Sequence, residues 1–140
     1  MDISRELLEQ IVAHAREEAP IECCGIVAVA AGVAGEPALA ARVCRAVNTA
    51  ASPLRFEIDG LEVLKLLEAI ERDGLELGAI YHSHTRTAPH PSQTDINFAA
   101  SWPGVEWLIV GLADPDQPEI RSHLIEKGEV REVEIGQIAV

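Results

Sequence analysis

From Ile3 to Glu18 the apolar residues Leu7, Leu8, Ile11, Val12 and Ala15 recur at helical spacing. Asp2 or Ser4 can start the turn and Pro20 lies just past its end, so the pattern predicts an opening amphipathic helix. The next two segments read as paired strands of a central sheet: Cys23 to Ala30, a continuous apolar run bounded by Pro20 and Gly32, and Arg42 to Asn48, which follows a Gly/Pro/Ala turn. Leu54 to Ile58 predicts a short strand. Asp59 then caps a second helix whose apolar stripe, Leu61, Val63, Leu64, Leu67 and Ile70, ends near Gly74. Leu77 to Tyr81 is a short apolar run leading directly into His82, and a Thr/Pro/His loop separates it from a third helix over Ser92 to Ser101. Three strand-like runs close the chain, Glu106 to Leu112, Ile120 to Glu126 and Val130 to Ile135, parted by Asp114-Pro115-Asp116 and Lys127-Gly128 in the manner of a meander. No repeat period and no linker interrupts this order. It implies a single domain over residues 1–140 of mixed α/β (α+β) class, with strands of mixed direction in a central sheet flanked by helices.

Composition narrows the functions open to such a domain. At 140 residues a single core suffices, burying roughly two thirds of the unfolded chain's surface. Aromatic residues make up 4%, so the core must be filled by Ile, Leu, Val and Ala, and a platform of exposed rings for stacking bases is excluded. A formal net charge of −12 with no Lys/Arg cluster repels phosphate, which argues against nucleic acid and against anionic membrane surfaces as partners. The longest apolar run, Cys23 to Gly35, falls short of the ~20 residues that span a bilayer. The N-terminus lacks the basic start and apolar stretch of a secretory signal. Cys23, Cys24 and Cys44 are odd in number and form no CxxC pair, so neither a disulfide framework nor a cysteine zinc site is expected, and a reducing cytoplasmic setting fits. A homo-oligomer remains open.

The chemistry converges on His82-Ser83-His84-Thr85-Arg86-Thr87-Ala88-Pro89-His90-Pro91-Ser92-Gln93-Thr94-Asp95. Residues two apart on an extended strand face one way, so His82 and His84 can present both imidazoles to one point. After seven intervening residues, Ser92 and Asp95 fall in the first turn of a helix, from which Asp95 can turn its carboxylate back to the histidines. Two histidines, one carboxylate and an open fourth position are the ligands of a catalytic Zn2+ rather than a closed structural site. Each half has a plainer role when taken alone: strand histidines that bond to backbone, and Ser92-x-x-Asp95 as a capping box. The joint spacing points to the metal. His90, in the intervening loop, offers an alternative third ligand with His82 and His84, although a loop role suits it better. Ser83 should face away from the ligands, and adjacent Cys23 and Cys24 read as buried structural thiols.

In these residues the sequence resembles the JAMM (MPN+) metallopeptidase family, whose motif is a distant Glu followed by His-x-His-x7-Ser-x2-Asp. The segment Pro20-Ile21-Glu22-Cys23-Cys24-Gly25-Ile26-Val27 has the family's form of a Glu on an early strand with Gly close behind, and the order of elements agrees over nearly the whole chain. The resemblance implies a cytidine-deaminase-like fold with one Zn2+ held by His82, His84 and Asp95. It makes Glu22 the general base that takes the proton of the attacking water and Ser92 the donor to the oxyanion. It also implies a substrate class. Among family members the chain is most similar to small bacterial enzymes that process ubiquitin-like sulfur-carrier proteins, for example by releasing cysteine from a carrier's C-terminus in cysteine biosynthesis. Thr85 stands where many members have Pro, which touches no ligand, and the chain seats no insertions of the kind that grip two ubiquitins. A non-catalytic scaffold domain of the same fold is the alternative function. A nucleobase deaminase is disfavoured because its His-x-Glu and Pro-Cys-x-x-Cys elements are absent.

Overall fold

A computed structural model describes residues 1–138. Its strands and helices follow in the order β1 (Asp2–Ser4), α1 (Arg5–Glu18), β2 (Cys24–Ala30), β3 (Leu39–Ala46), α2 (Gly60–Arg72), β4 (Glu76–His84), α3 (Gln93–Ala99), β5 (Glu106–Gly111), β6 (Glu119–Glu126), β7 (Glu129–Val133) and β8 (Gly136–Ile138). The strands form one mixed sheet in the order β7-β6-β5-β4-β2-β3-β1-β8. The fold is therefore mixed α/β, as the periodicity implies. β5, β6 and β7 form the expected antiparallel meander, while β4 and β5 run parallel because α3 crosses between them. No helix among the described residues is long and apolar enough to cross a membrane.

Strand alternation divides the core. One face carries Cys23, Val27, Ala79, Tyr81, Leu108 and Val110 and packs against Leu8, Ile11 and Ala15 of α1. The opposite face carries Cys24, Ile26, Ala28, Ile80 and Trp107 and is covered by Ile70 of α2 and Ala99 of α3. β2 lies between β3 and β4, pairing Cys24 with His82 and Gly25 with Tyr81. A Cβ at Gly25 would fall 2.3 Å from Tyr81 Cε2 and 2.5 Å from the Cys44 carbonyl oxygen. Only a glycine lets the Tyr81 ring cross the strand there, where its hydroxyl shares a 2.7 Å hydrogen bond with Nδ1 of buried His14. Gly25, three residues after Glu22, thus has a packing reason.

Several boundaries depart from the periodic reading. Ile3 belongs to a short strand between β3 and β8 rather than to α1, with Asp2 aligned with Leu39 and Gly136, and the cap is Ser4, whose Oγ accepts from Leu7 N. β8 was not legible as a strand at all. Asp59 occupies the N-cap of α2 without a side-chain bond, and α3 is shorter than expected, with Ser92 as its cap. Leu54 to Ile58 is not a strand. Its backbone groups bond instead across a loop: Asn48 Nδ2 donates to the Arg55 carbonyl, Glu57 N donates to Asn48 Oδ1, and Thr49 N donates to the Glu57 carbonyl. A side-chain amide satisfies polar groups that a strand partner would otherwise take.

Candidate metal centre

The C-terminal end of β4 brings His82 and His84 onto the face covered by α2 and α3, whereas Ser83 points the other way, where its Oγ accepts from Cys23 N at 2.8 Å. Asp95 stands at the third position of α3. A reciprocal cap aims its carboxylate: Asp95 N donates to Ser92 Oγ at 3.1 Å, and Ser92 N donates to Asp95 Oδ2 at 2.9 Å. Capping and ligand placement therefore use one geometry, at the carboxyl ends of the parallel pair β4 and β5.

Three atoms meet in this corner. His82 Nε2 lies 3.1 Å and His84 Nε2 3.3 Å from Asp95 Oδ2, and the two nitrogens are 3.2 Å apart. Each of the three residues is buried, His82 completely. Nδ1 of His84 is 3.0 Å from the Ala88 carbonyl, which can only accept. That nitrogen therefore carries the proton and leaves the Nε2 lone pair facing inward. With His84 Nε2 an acceptor and Asp95 an ionised carboxylate, acceptors converge on one point in this corner, and a cation satisfies all three atoms. A tetrahedral zinc with bonds of about 2.0–2.1 Å keeps its ligand atoms about 3.3 Å apart, so the donor set fits a metal of that size. Phe56 covers His82, stacked at 4.6 Å between ring centroids, with Trp107 edge-on at 6.4 Å.

The electrostatics favour this state at His82 and Asp95 and oppose it at His84. Burial, opposed by Asp95, lowers the His82 pKa and keeps that ring neutral. At His84 burial also disfavours the charge, but Asp95, the Ala88 carbonyl and Glu22 outweigh it and raise the pKa. Burial opposes ionisation of Asp95 as well, yet bonds from His82, His84 and the Ser92 N–H hold its carboxyl well below the usual range. Neutral imidazole and ionised carboxylate are the forms that bind metal.

Glu22 does not sit within β2, as the resemblance implied, but two residues before it, with a side chain 4% exposed. Its Oε1 is buried and has no partner among the described residues. Burial pushes its pKa up to about 7, with His84 pulling it down and Asp95 raising it further. Such a carboxyl takes and releases a proton near neutrality. Ser92 is exposed; its Oγ accepts from the cap and its own hydrogen is uncommitted among the described residues. His90 is not part of the group. It lies edge-on to His123 at 5.8 Å, so the three-histidine alternative is not assembled. Cys23 and Cys24 are buried with thiols pushed up to about 12 by desolvation, which makes them inert packing groups.

Periodicity alone missed two contributors. Asn48, at the end of the predicted strand, bonds through Nδ2 to the Glu22 carbonyl at 3.0 Å and through Oδ1 to Ala50 N, while Glu22 N donates to the Ser52 carbonyl. The loop 48–58 thus grips both backbone sides of Glu22 and supplies Phe56 to His82. An Asn beside Thr-Ala-Ala-Ser-Pro marks a turn, which was its only signal in the sequence. Asn48→Ala should cost roughly 1–3 kcal/mol of stability. Well below its melting temperature it should also lower kcat by about tenfold with KM little changed. Thermal melts and steady-state kinetics check both.

Residues 4–126 match the family model described as prokaryotic homologs of the JAB domain. The chain belongs to this family. It is 36% identical over 130 residues to the CysO-cysteine peptidase of Mycobacterium tuberculosis, covering 93% of this chain and 86% of the relative. It is also 36% identical over 115 residues to the desampylase of Haloferax volcanii, with 78% of each chain covered. Among solved structures, a protein from Desulfitobacterium hafniense superposes with a TM-score of 0.89 at 31% identity, over 99% of this chain and 93% of that one. Membership in the JAB family agrees with the resemblance drawn from Glu22 and the His82–Asp95 segment.

Proposed function

We propose that the protein is a zinc-dependent peptidase that hydrolyses an amide bond at the C-terminus of a ubiquitin-like sulfur-carrier protein, releasing cysteine from a carrier–cysteine adduct. One observation carries the reading: the convergence of His82 Nε2, His84 Nε2 and Asp95 Oδ2 within 3.3 Å of one another next to the buried, partly unpartnered carboxyl of Glu22. His82, His84 and Asp95 would hold the ion. When bound, zinc supplies Lewis acidity that brings the pKa of water toward ~7.

The chain's own residues account for the remaining steps. Glu22 accepts the proton of the attacking water and returns it to the leaving amine, and burial, which raises its pKa, helps its carboxylate take that proton. The Ser92 hydroxyl, free to donate while its oxygen serves the cap, steadies the oxyanion. Phe56 and Trp107 keep His82 dry, which strengthens each charge interaction in the site. The names of the relatives, a CysO-cysteine peptidase and a desampylase, support a carrier-protein substrate. Three thiols without a disulfide fit a cytoplasmic setting, and the charge of −12 gives nucleic acid no foothold.

Incubation of the zinc-loaded protein with a ubiquitin-like carrier bearing a C-terminal cysteine should shorten the carrier by the mass of one residue, read by mass spectrometry. An intact adduct after prolonged incubation with protein that retains zinc would sink the substrate assignment.

A further inference from the structure

His82 and His84 are held in place by different means. Phe56 and Trp107 pack on the ring of His82, whose buried Nδ1 has no hydrogen-bond partner among the described residues. His84 is the more exposed ring and depends on a bond: its Nδ1 donates to the Ala88 carbonyl at 3.0 Å. The same oxygen accepts from His90 N at 2.8 Å, so two donors converge on one carbonyl in the loop that joins β4 to α3. A ligating histidine aims its lone pair only as well as the partner of its other nitrogen is fixed.

A bare position on β5 fixes that partner. Gly111 is aligned with His84 in the parallel pair, and Leu112 N, next along the chain, donates to the His84 carbonyl at 2.9 Å. Strand alternation puts Gly111 on the same face as Trp107, the face that carries His82 and His84. Pro89, itself buried, fills the space that a side chain at 111 would take. A Cβ there would stand 2.7 Å from Pro89 Cδ, 3.1 Å from Pro89 N and 3.3 Å from Pro89 Cγ. Carbon atoms in contact settle at about 3.5–4.0 Å. The ring cannot swing aside, because it closes on its own backbone nitrogen. That nitrogen and the Ala88 carbonyl belong to one planar peptide unit, so displacing Pro89 carries the oxygen with it. Gly111 lies within a strand and its φ is not positive, so space rather than backbone conformation requires a glycine.

We propose that Gly111 is a positioning residue for the metal: its missing side chain seats Pro89, so that the Ala88 carbonyl holds His84 with Nε2 turned to the ion. The inference rests on the zinc-hydrolase reading above. The end of β5 thereby sets both parts of His84, its backbone through Leu112 N and its ring through the seat of Pro89. Gly111 and Pro89 supply no ligand atom themselves.

The test measures zinc affinity by competition with a chromogenic chelator in native protein, Gly111→Ala, Pro89→Ala and the double variant. Gly111→Ala should bind zinc about 10- to 100-fold more weakly, the cost of losing the partner behind a ligand. In nitrogen-15 spectra of zinc-loaded protein the His84 Nδ1–H should be protected from exchange with water in native protein and exposed to it in Gly111→Ala. The double variant removes Cδ and Cγ from the crowded space, so its affinity should return to within about threefold of Pro89→Ala alone. General damage to β5 would not be repaired by a second substitution in a loop. Zinc bound by Gly111→Ala as tightly as by native protein, or a double variant as weak as Gly111→Ala, overturns the positioning role and leaves the metal site standing. If Gly111→Ala does not fold, the double variant decides: recovered folding and zinc binding uphold the role, and continued failure overturns it. Native protein that binds no zinc overturns the zinc-hydrolase reading, and this inference with it.

Discussion

Glu22→Gln is expected to leave the protein folded and able to hold metal while lowering turnover by about 10²- to 10⁴-fold, the range of a lost general base. Glutamine keeps the shape of the side chain but cannot accept the proton. Stability should behave oppositely to activity. Burial raises the Glu22 pKa from 4.5 to about 7, so the metal-free fold binds a proton there that the unfolded chain has already released. Stability from this group is full at pH below 4.5 and is lost as pH rises toward 7. Above neutrality, metal-free Glu22→Gln should therefore melt no lower than native metal-free protein, and thermal melts of the two across this pH range check the sign. In the active protein the charge of a bound cation pulls the Glu22 pKa down from about 7, so the acid limb of kcat/KM should lie below neutrality and vanish in the variant. Undiminished turnover in Glu22→Gln would reject the base assignment outright.

Loss of a ligand should have the second large effect. Asp95→Asn preserves an oxygen for the Ser92 N–H and so keeps the cap of α3, but it removes the only anionic member of the triangle. Metal content should fall from about one zinc per chain to a small fraction, and activity by about 10³-fold or more. His84→Ala should do the same, and elemental analysis after dialysis measures both. Zinc added to metal-stripped native protein should raise its melting temperature in proportion to the logarithm of free zinc, whereas Asp95→Asn should show no such rise. Because Asp95 raises the His84 pKa, a proton competes for the place of the metal at that nitrogen. Affinity should accordingly weaken as pH falls. Native affinity indifferent to pH between 5 and 8, or a fully loaded Asp95→Asn, would contradict the ligand set.

Much of the centre could be read from local spacing. A strand turns every second side chain to one face, so His82 and His84 had to look the same way once Leu77 to Tyr81 was recognised as a strand, and Ser83 had to look away. A helix start fixes its first turn, so Ser92 and Asp95 had to cap each other. Glu22 was legible only as a member of a family pattern, because nothing in Ile21-Glu22-Cys23 says that its carboxyl comes within the field of His84 and Asp95.

The remainder needed the assembled fold. Leu54 to Ile58 has the composition of a strand, and only the position of Asn48 explains why its polar backbone groups found loop partners. β1 and β8 are too short to show a period and exist because each meets a neighbour at the sheet edge. The sequence by itself determined which side chains point together along β4 and at the start of α3, because those directions follow from backbone geometry within a few residues. Only the tertiary structure decided that Glu22, Asn48 and Phe56 gather around them. Those contacts join residues far apart in the chain, and the pairing of β2 with β4 that creates them depends on how both faces of the sheet pack at once.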